Sequence, residues 1–159
     1  MTELFNNFAS VIVFLHVLSA VLWVGGMIAI RYAIHPSMQE IAEPRIKLER
    51  TLDNLKRFFN MVIPAIVILL ITAIIMIIAL GFRGTSLYSL VIAKEVIWTI
   101  MTIVFITIYI KRNKAQKALE GGDFLSAKNS LLPIANIFIP LNIVLGLVAI
   151  FLGVSLRGF

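Results

Sequence analysis

The chain has 159 residues, 60% of them hydrophobic and 14% charged, with a formal net charge of +6 and a mean hydropathy of +1.02. That balance excludes both a soluble globular protein and a disordered one and indicates an integral membrane protein. Cysteine is absent, which excludes disulfides, thiolate metal sites and a cysteine nucleophile. The basic residues flank apolar segments and form no single face, so the positive charge suits a membrane and not nucleic acid.

Four charge-poor segments follow one another, at about residues 8–32, 58–81, 86–110 and 129–156. Each is long enough to cross a hydrocarbon core of about 30 Å as a helix. A helix satisfies its own backbone in lipid, whereas strands would need a closed barrel with alternating polarity, a pattern not found here. The predicted fold is therefore all-α, an integral membrane four-helix bundle. Every polar stretch is shorter than about 50 residues, the lower end of domain size, so residues 1–159 are read as one domain. The opening MTELFNN has no Lys or Arg, and the apolar run after it is longer than a signal-peptide core of about 7–15 residues. The first span is thus expected to stay in the mature protein.

The first span, VIVFLHVLSAVLWVGGMIAIRYAIH, holds His16 inside it and His35 at its edge. The connection that follows carries Arg45, Lys47, Arg50, Lys56 and Arg57, with Arg31 just before it. Pro64 lies near the start of the second span, and only Arg83 is basic in the second connection. Lys111, Arg112, Lys114, Lys117 and Lys128 crowd the third connection; Pro133 and Pro140 mark the fourth span, where a kink or a first helical turn fits. Arg157 is the only basic residue of the C-terminal tail. The bias of positive charge predicts cytoplasmic first and third connections and both termini outside, periplasmic in a bacterial inner membrane. In RIKLERTLDNLKRF, Ile46, Leu48, Leu52, Leu55 and Phe59 stand among charges, as in an amphipathic extension of the second helix. KRNKAQKALEGGDF continues the third helix to a stop at Gly121-Gly122. The simpler view of both stretches is a solvated charged face that only sets topology.

Ionisable groups at membrane depth are costly, which makes them functional-site candidates. His16 lies eight residues into its span and Lys94 eight residues into the third, each roughly 12 Å from the outer end by helical rise. His16, Ala20, Trp23, Met27 and Ile30 recur at helical spacing on one face, and Lys94, Trp98, Met101 and Phe105 on another. Two such faces can line a flat, apolar, tetrapyrrole-sized crevice, which Gly25 and Gly26 would let a macrocycle or a helix approach closely. A neutral imidazole is a good axial ligand for iron when its other nitrogen is held by a carbonyl or a hydroxyl such as Ser19. Lys94 would then bind a propionate or, deprotonated, the metal. The competing structural readings are an interhelical hydrogen bond for His16 and a snorkelling or Glu95-paired Lys94.

His35 stands 19 residues beyond His16, about 28 Å along a helix, too far to share one heme, and reads as a helix-end residue. Arg31 is a topology determinant or a contact to a lipid headgroup or propionate. Glu95, Thr99 and Thr102 share a face, suited to helix–helix hydrogen bonds or a proton path, and Asn60, Asn136 and Asn142 to interhelical bonds. A copper site would need His16 with Met27 or Met101 as soft ligands, although the methionines are scattered.

LHVLSAVLWVGGMIAIRYAIHP resembles the opening helix of CopD-like membrane domains and of HemJ-type protoporphyrinogen oxidases, where a histidine is followed by tryptophan, glycine and a basic residue. KRFFNMVIPAIVILLI, VIAKEVIWTI and IANIFIPLNIVLGLVAIFL are similar to their later helices, so the resemblance runs over nearly the whole chain. It implies a four-helix bundle, often an oligomer such as a homodimer, binding heme b through His16, with Lys94 and Arg31 matching the family's lysine and basic residue. The activity it implies is oxidation of protoporphyrinogen IX, with electrons passed to a membrane acceptor that the sequence does not identify. Where those enzymes carry a second histidine two residues before the lysine, this chain has Ile92. The other function classes that the sequence admits are CopD-like copper handling and a cofactor-free structural or assembly subunit.

Overall fold

A computed structural model describes residues 2–156, which leaves Arg157 of the C-terminal tail outside the described residues. Four long apolar helices make up the chain: α1 (Thr2–Gln39), α2 (Pro44–Leu80), α3 (Tyr88–Glu120) and α4 (Phe124–Ser155). All four are long and apolar enough to span a membrane, and no strand occurs among the described residues. They form an up-down bundle in which α1 packs on α2, α2 on α3, α3 on α4, and α4 back on α1. Gly81 ends α2 in a left-handed conformation (φ 59°), and Gly122 (φ 78°) turns the chain after α3. Both are positions where a Cβ would be strained. Asp123 caps α4 by accepting the Ser126 N–H at 2.9 Å, a bond that holds the Asp123 carboxyl below its usual range.

The core is aromatic at its centre. Trp23 of α1 meets Phe105 of α3 edge to face at 6.1 Å, and Phe105 meets Phe59 of α2 in the same way at 5.3 Å. Such contacts add roughly 0.5–1.5 kcal/mol each beyond area burial. Two glycines bring helices together around this layer. A Cβ on Gly26 would stand 2.6 Å from the Phe58 ring of α2, and one on Gly146 would stand 2.5 Å from a Val24 methyl of α1. Gly25, by contrast, faces open space.

The helices do not stop at the apolar segments. The basic start of α2 packs into the bundle, where Leu48, Leu52 and Leu55 are buried with Ala115 of α3 and Ala127 and Leu131 of α4. Arg112 donates to the Leu52 carbonyl at 3.1 and 3.3 Å. This stretch is therefore a packed helix end and not a merely solvated charged face; only Ile46 of its apolar set is exposed. The amphipathic pattern that suggested a membrane-surface helix is satisfied by protein instead. The i,i+4 pairs Arg45–Glu49 and Arg57–Asp53 are exposed and add little to stability.

Two helices widen locally. Residues Ile30–Ile34 of α1 and Ile134–Phe138 of α4 are π-helical, with His35 N–H bonding Ile30 O and Ile139 N–H bonding Ile134 O. In both cases a proline, Pro36 or Pro140, is the second residue beyond the segment. Proline has no N–H and its ring crowds the carbonyl four residues back; the extra residue in the turn absorbs both effects. Pro64, just past the middle of α2, leaves that helix continuous.

Replacing Gly146 with alanine forces a methyl onto the β-branched Val24, which cannot swing away, and should cost about 1–3 kcal/mol as overpacking. Gly25→Ala meets nothing and should leave stability within about 0.5 kcal/mol. Thermal unfolding of the two variants in one detergent checks this contrast; equal midpoints would refute the close α1–α4 packing.

Candidate functional site

His16 lies on the inward face of α1, half-buried, two turns above Trp23. Its Nδ1 is 2.9 Å from Thr72 Oγ1 on α2. The Thr72 hydroxyl lies 2.7 Å from the Ile68 carbonyl and 3.0 Å from the Leu69 carbonyl, acceptors that take its single proton. Its oxygen is then left to accept, so the imidazole proton sits on Nδ1. Nε2 therefore carries the lone pair and has no partner among the described residues, the arrangement by which an outer partner orients a ligating histidine. The hydroxyl partner is Thr72, not Ser19, which is buried on the same helix. A threonine in the middle of LLITAIIM is the signal that could have singled it out.

Lys94 enters from α3 and is half-buried. Its Nζ comes 3.1 Å from where a Cβ on Gly153 of α4 would be; the missing side chain at Gly153 makes room for the Lys94 side chain near the end of the bundle where α3 begins. Glu95, the partner that a structural reading would give Lys94, is exposed and makes no ion pair with it among the described residues. Trp98, one turn below Lys94, has its indole Nε1 fully buried without a partner among the described residues, as does Trp23.

Below this level the seams close. Trp23, Met27 and Met101 are 1–3% exposed and belong to the core, and Trp23 packs directly against Phe105. Where the sequence suggested a crevice between the α1 and α3 faces, these side chains pack into the core. Met27 stands 11 residues from His16 on the same helix, about 16 Å by rise, and Met101 is packed beside Gly146; the soft donors of a copper site are not gathered. No cluster of three or more His, Asp or Glu side chains suited to a metal ion occurs among the described residues. Arg31 lies 15 residues from His16, about 22 Å along α1, and hydrogen bonds with His35 at the other end of the bundle.

The remaining polar candidates separate by role. Thr99 and Thr102 donate to the carbonyls of Glu95 and Trp98 on their own helix at 2.8 and 2.9 Å and have no side-chain bond to a neighbouring helix among the described residues. Asn60 and Asn136 are exposed. Asn142 alone of the three crosses helices: it is fully buried and donates to the Met101 carbonyl at 3.1 Å. The chain matches no protein-family model, no curated protein and no solved structure.

Thr72→Val keeps the shape and removes the acceptor of the His16 proton. Nitrogen-15 NMR of labelled histidine should show His16 protonated at Nδ1 in the parent and a mixture of tautomers in the variant, with about 1 kcal/mol lost in stability. An unchanged spectrum would show that Thr72 does not set the tautomer.

Proposed function

We propose that this is a heme b-binding redox protein of a bacterial inner membrane, resembling HemJ-type protoporphyrinogen oxidases, with His16 as the axial ligand near the periplasmic face. The observation that carries the reading is the oriented imidazole: Nδ1 bonded to Thr72 and Nε2 free, inside a bundle of four helices able to span a membrane. The basic residues of the first and third connections favour cytoplasmic placement of those loops and periplasmic termini.

The donor set suits the group. An imidazole of fixed tautomer is an iron ligand, and a cation nearby suits a propionate. Heme bound there would supply one-electron exchange between a porphyrinogen or quinol and a membrane acceptor. The chain's own residues have distinct tasks. Thr72 holds the His16 proton on Nδ1 and keeps Nε2 basic. Lys94 offers a propionate partner, or a second ligand when deprotonated, in the space that Gly153 leaves. The layer of Trp23, Met101 and Phe105 seals the inner side against water and fixes the lower boundary of the site. Arg31 and His35, at the far end, take no part in it.

In a hemin titration of the detergent-purified protein, His16→Ala should abolish saturable binding while the protein still inserts. Thr72→Val should weaken binding by about 10–100-fold through the lost outer hydrogen bond. Undiminished affinity in His16→Ala would overturn the assignment.

A further inference from the structure

A cavity of about 500 Å³ opens at the basic end of the bundle, between α1, the start of α2 and the start of α4. Its size lies in the range of ligand pockets, about 300–1,000 Å³. The π-helical segments of α1 and α4 both line it, contributing Ile30, Arg31 and Ile34 from one and Ile134 and Ala135 from the other. The two bulges thus meet at one place, in the wall of this cavity. Bulges of this kind are frequent at functional sites.

The chemistry of the lining is two-sided. Its inner wall is aliphatic, with Ile30, Leu55, Ile134 and Ile139 buried. Its other lining residues include Arg31, His35, Lys47 and Lys128, and no Asp or Glu lines the cavity among the described residues. His35 sits between Arg31 and Gln39, 3.4 Å from each. Lys47 Nζ donates to the Gln39 carbonyl at 3.0 Å, which leaves two of its three protons for another acceptor. Neither Arg31, Lys47 nor Lys128 is in an ion pair among the described residues. Leu125 and Leu132, at the lip, are 69% and 45% exposed.

We propose that this cavity binds an anionic phospholipid, its phosphate held by Arg31, Lys47 and Lys128 and the upper part of an acyl chain lying on the aliphatic wall. Charge complementarity selects the headgroup, since three cations without a carboxylate match a phosphate diester and repel nothing in it. The apolar wall selects a lipid over a free anion, because a soluble phosphate would leave that surface uncovered. The lip leucines carry the remaining chain outward to the bilayer. This site is independent of heme at His16, which lies toward the opposite face.

Native mass spectrometry of the full chain in detergent, with phosphatidylglycerol and phosphatidylcholine of identical acyl chains at equal concentration, tests the proposal. One phosphatidylglycerol should be retained in preference to phosphatidylcholine. Lys128→Gln, an exposed position whose change leaves the packing alone, should reduce that preference by about fivefold, and Lys47→Gln by a similar factor. Ala135→Phe, which fills the apolar part without altering charge, should also lower retention. Millimolar inorganic phosphate should not displace the lipid. Equal retention of the two lipids, full retention in both lysine variants, or displacement by phosphate alone would each overturn the proposal.

Discussion

A polar group inside a lipid-embedded bundle has no water to turn to, and its partner has to be another part of the protein. Two cross-helix hydrogen bonds meet this demand within the spans, and a third ties the helices at the basic end. His16 joins α1 to α2 through Thr72, Asn142 joins α4 to α3 through the Met101 carbonyl, and Arg112 joins α3 to α2 through the Leu52 carbonyl. The fourth seam, α4 to α1, closes without a side-chain polar bond among the described residues, by the fit of Gly146 against Val24. Such bonds are individually modest, about 0.6 kcal/mol on average in membranes. Their larger effect is to fix register and to determine which atoms stay free. Thr72 spends its proton on its own helix, and so fixes the tautomer of His16.

Much of the fold was legible in the sequence because the signals were long and redundant. Four uninterrupted apolar runs require four helices, and the extension of α3 to Gly121 followed from a helical pattern ending in two glycines. The basic stretch of α2 was legible as amphipathic, but not the surface it would cover. Pattern gives the apolar face of a helix without naming its partner, and Ala115 and Ala127, the small residues that admit it, carry no hydrophobic-moment signal of their own. The π-helical segments were hidden for a similar reason. Proline marks where a helix must give, while the choice between a kink and a widened turn is made by packing.

The same division holds for the site. His16 and Lys94 stood out by depth alone, since a charge in an apolar run is visible without any structure. Their surroundings did not. Trp23, Met27 and Met101 share helical faces with them, and periodicity cannot tell a pocket wall from a core; direct packing of Trp23 on Phe105 assigns them to the core. Thr72 and Gly153 come from other helices and enter only through tertiary contact. At the opposite end, Lys47 and Lys128 lie 81 residues apart (128 − 47) in what read as topology-setting loops, and only the bundle brings them to one cavity.

The chain thus separates its chemistry by depth: an oriented imidazole and a lysine toward one face, a cationic, apolar-walled cavity toward the other, and a sealed aromatic layer between. Heme b at the first of these is the central claim. A reduced-minus-oxidised visible spectrum of the purified protein, with pyridine hemochrome quantification, tests it most directly. Heme ligated by His16 gives a b-type spectrum with about one heme per chain; a colourless protein, even after expression with added heme precursor, would contradict heme binding at this site.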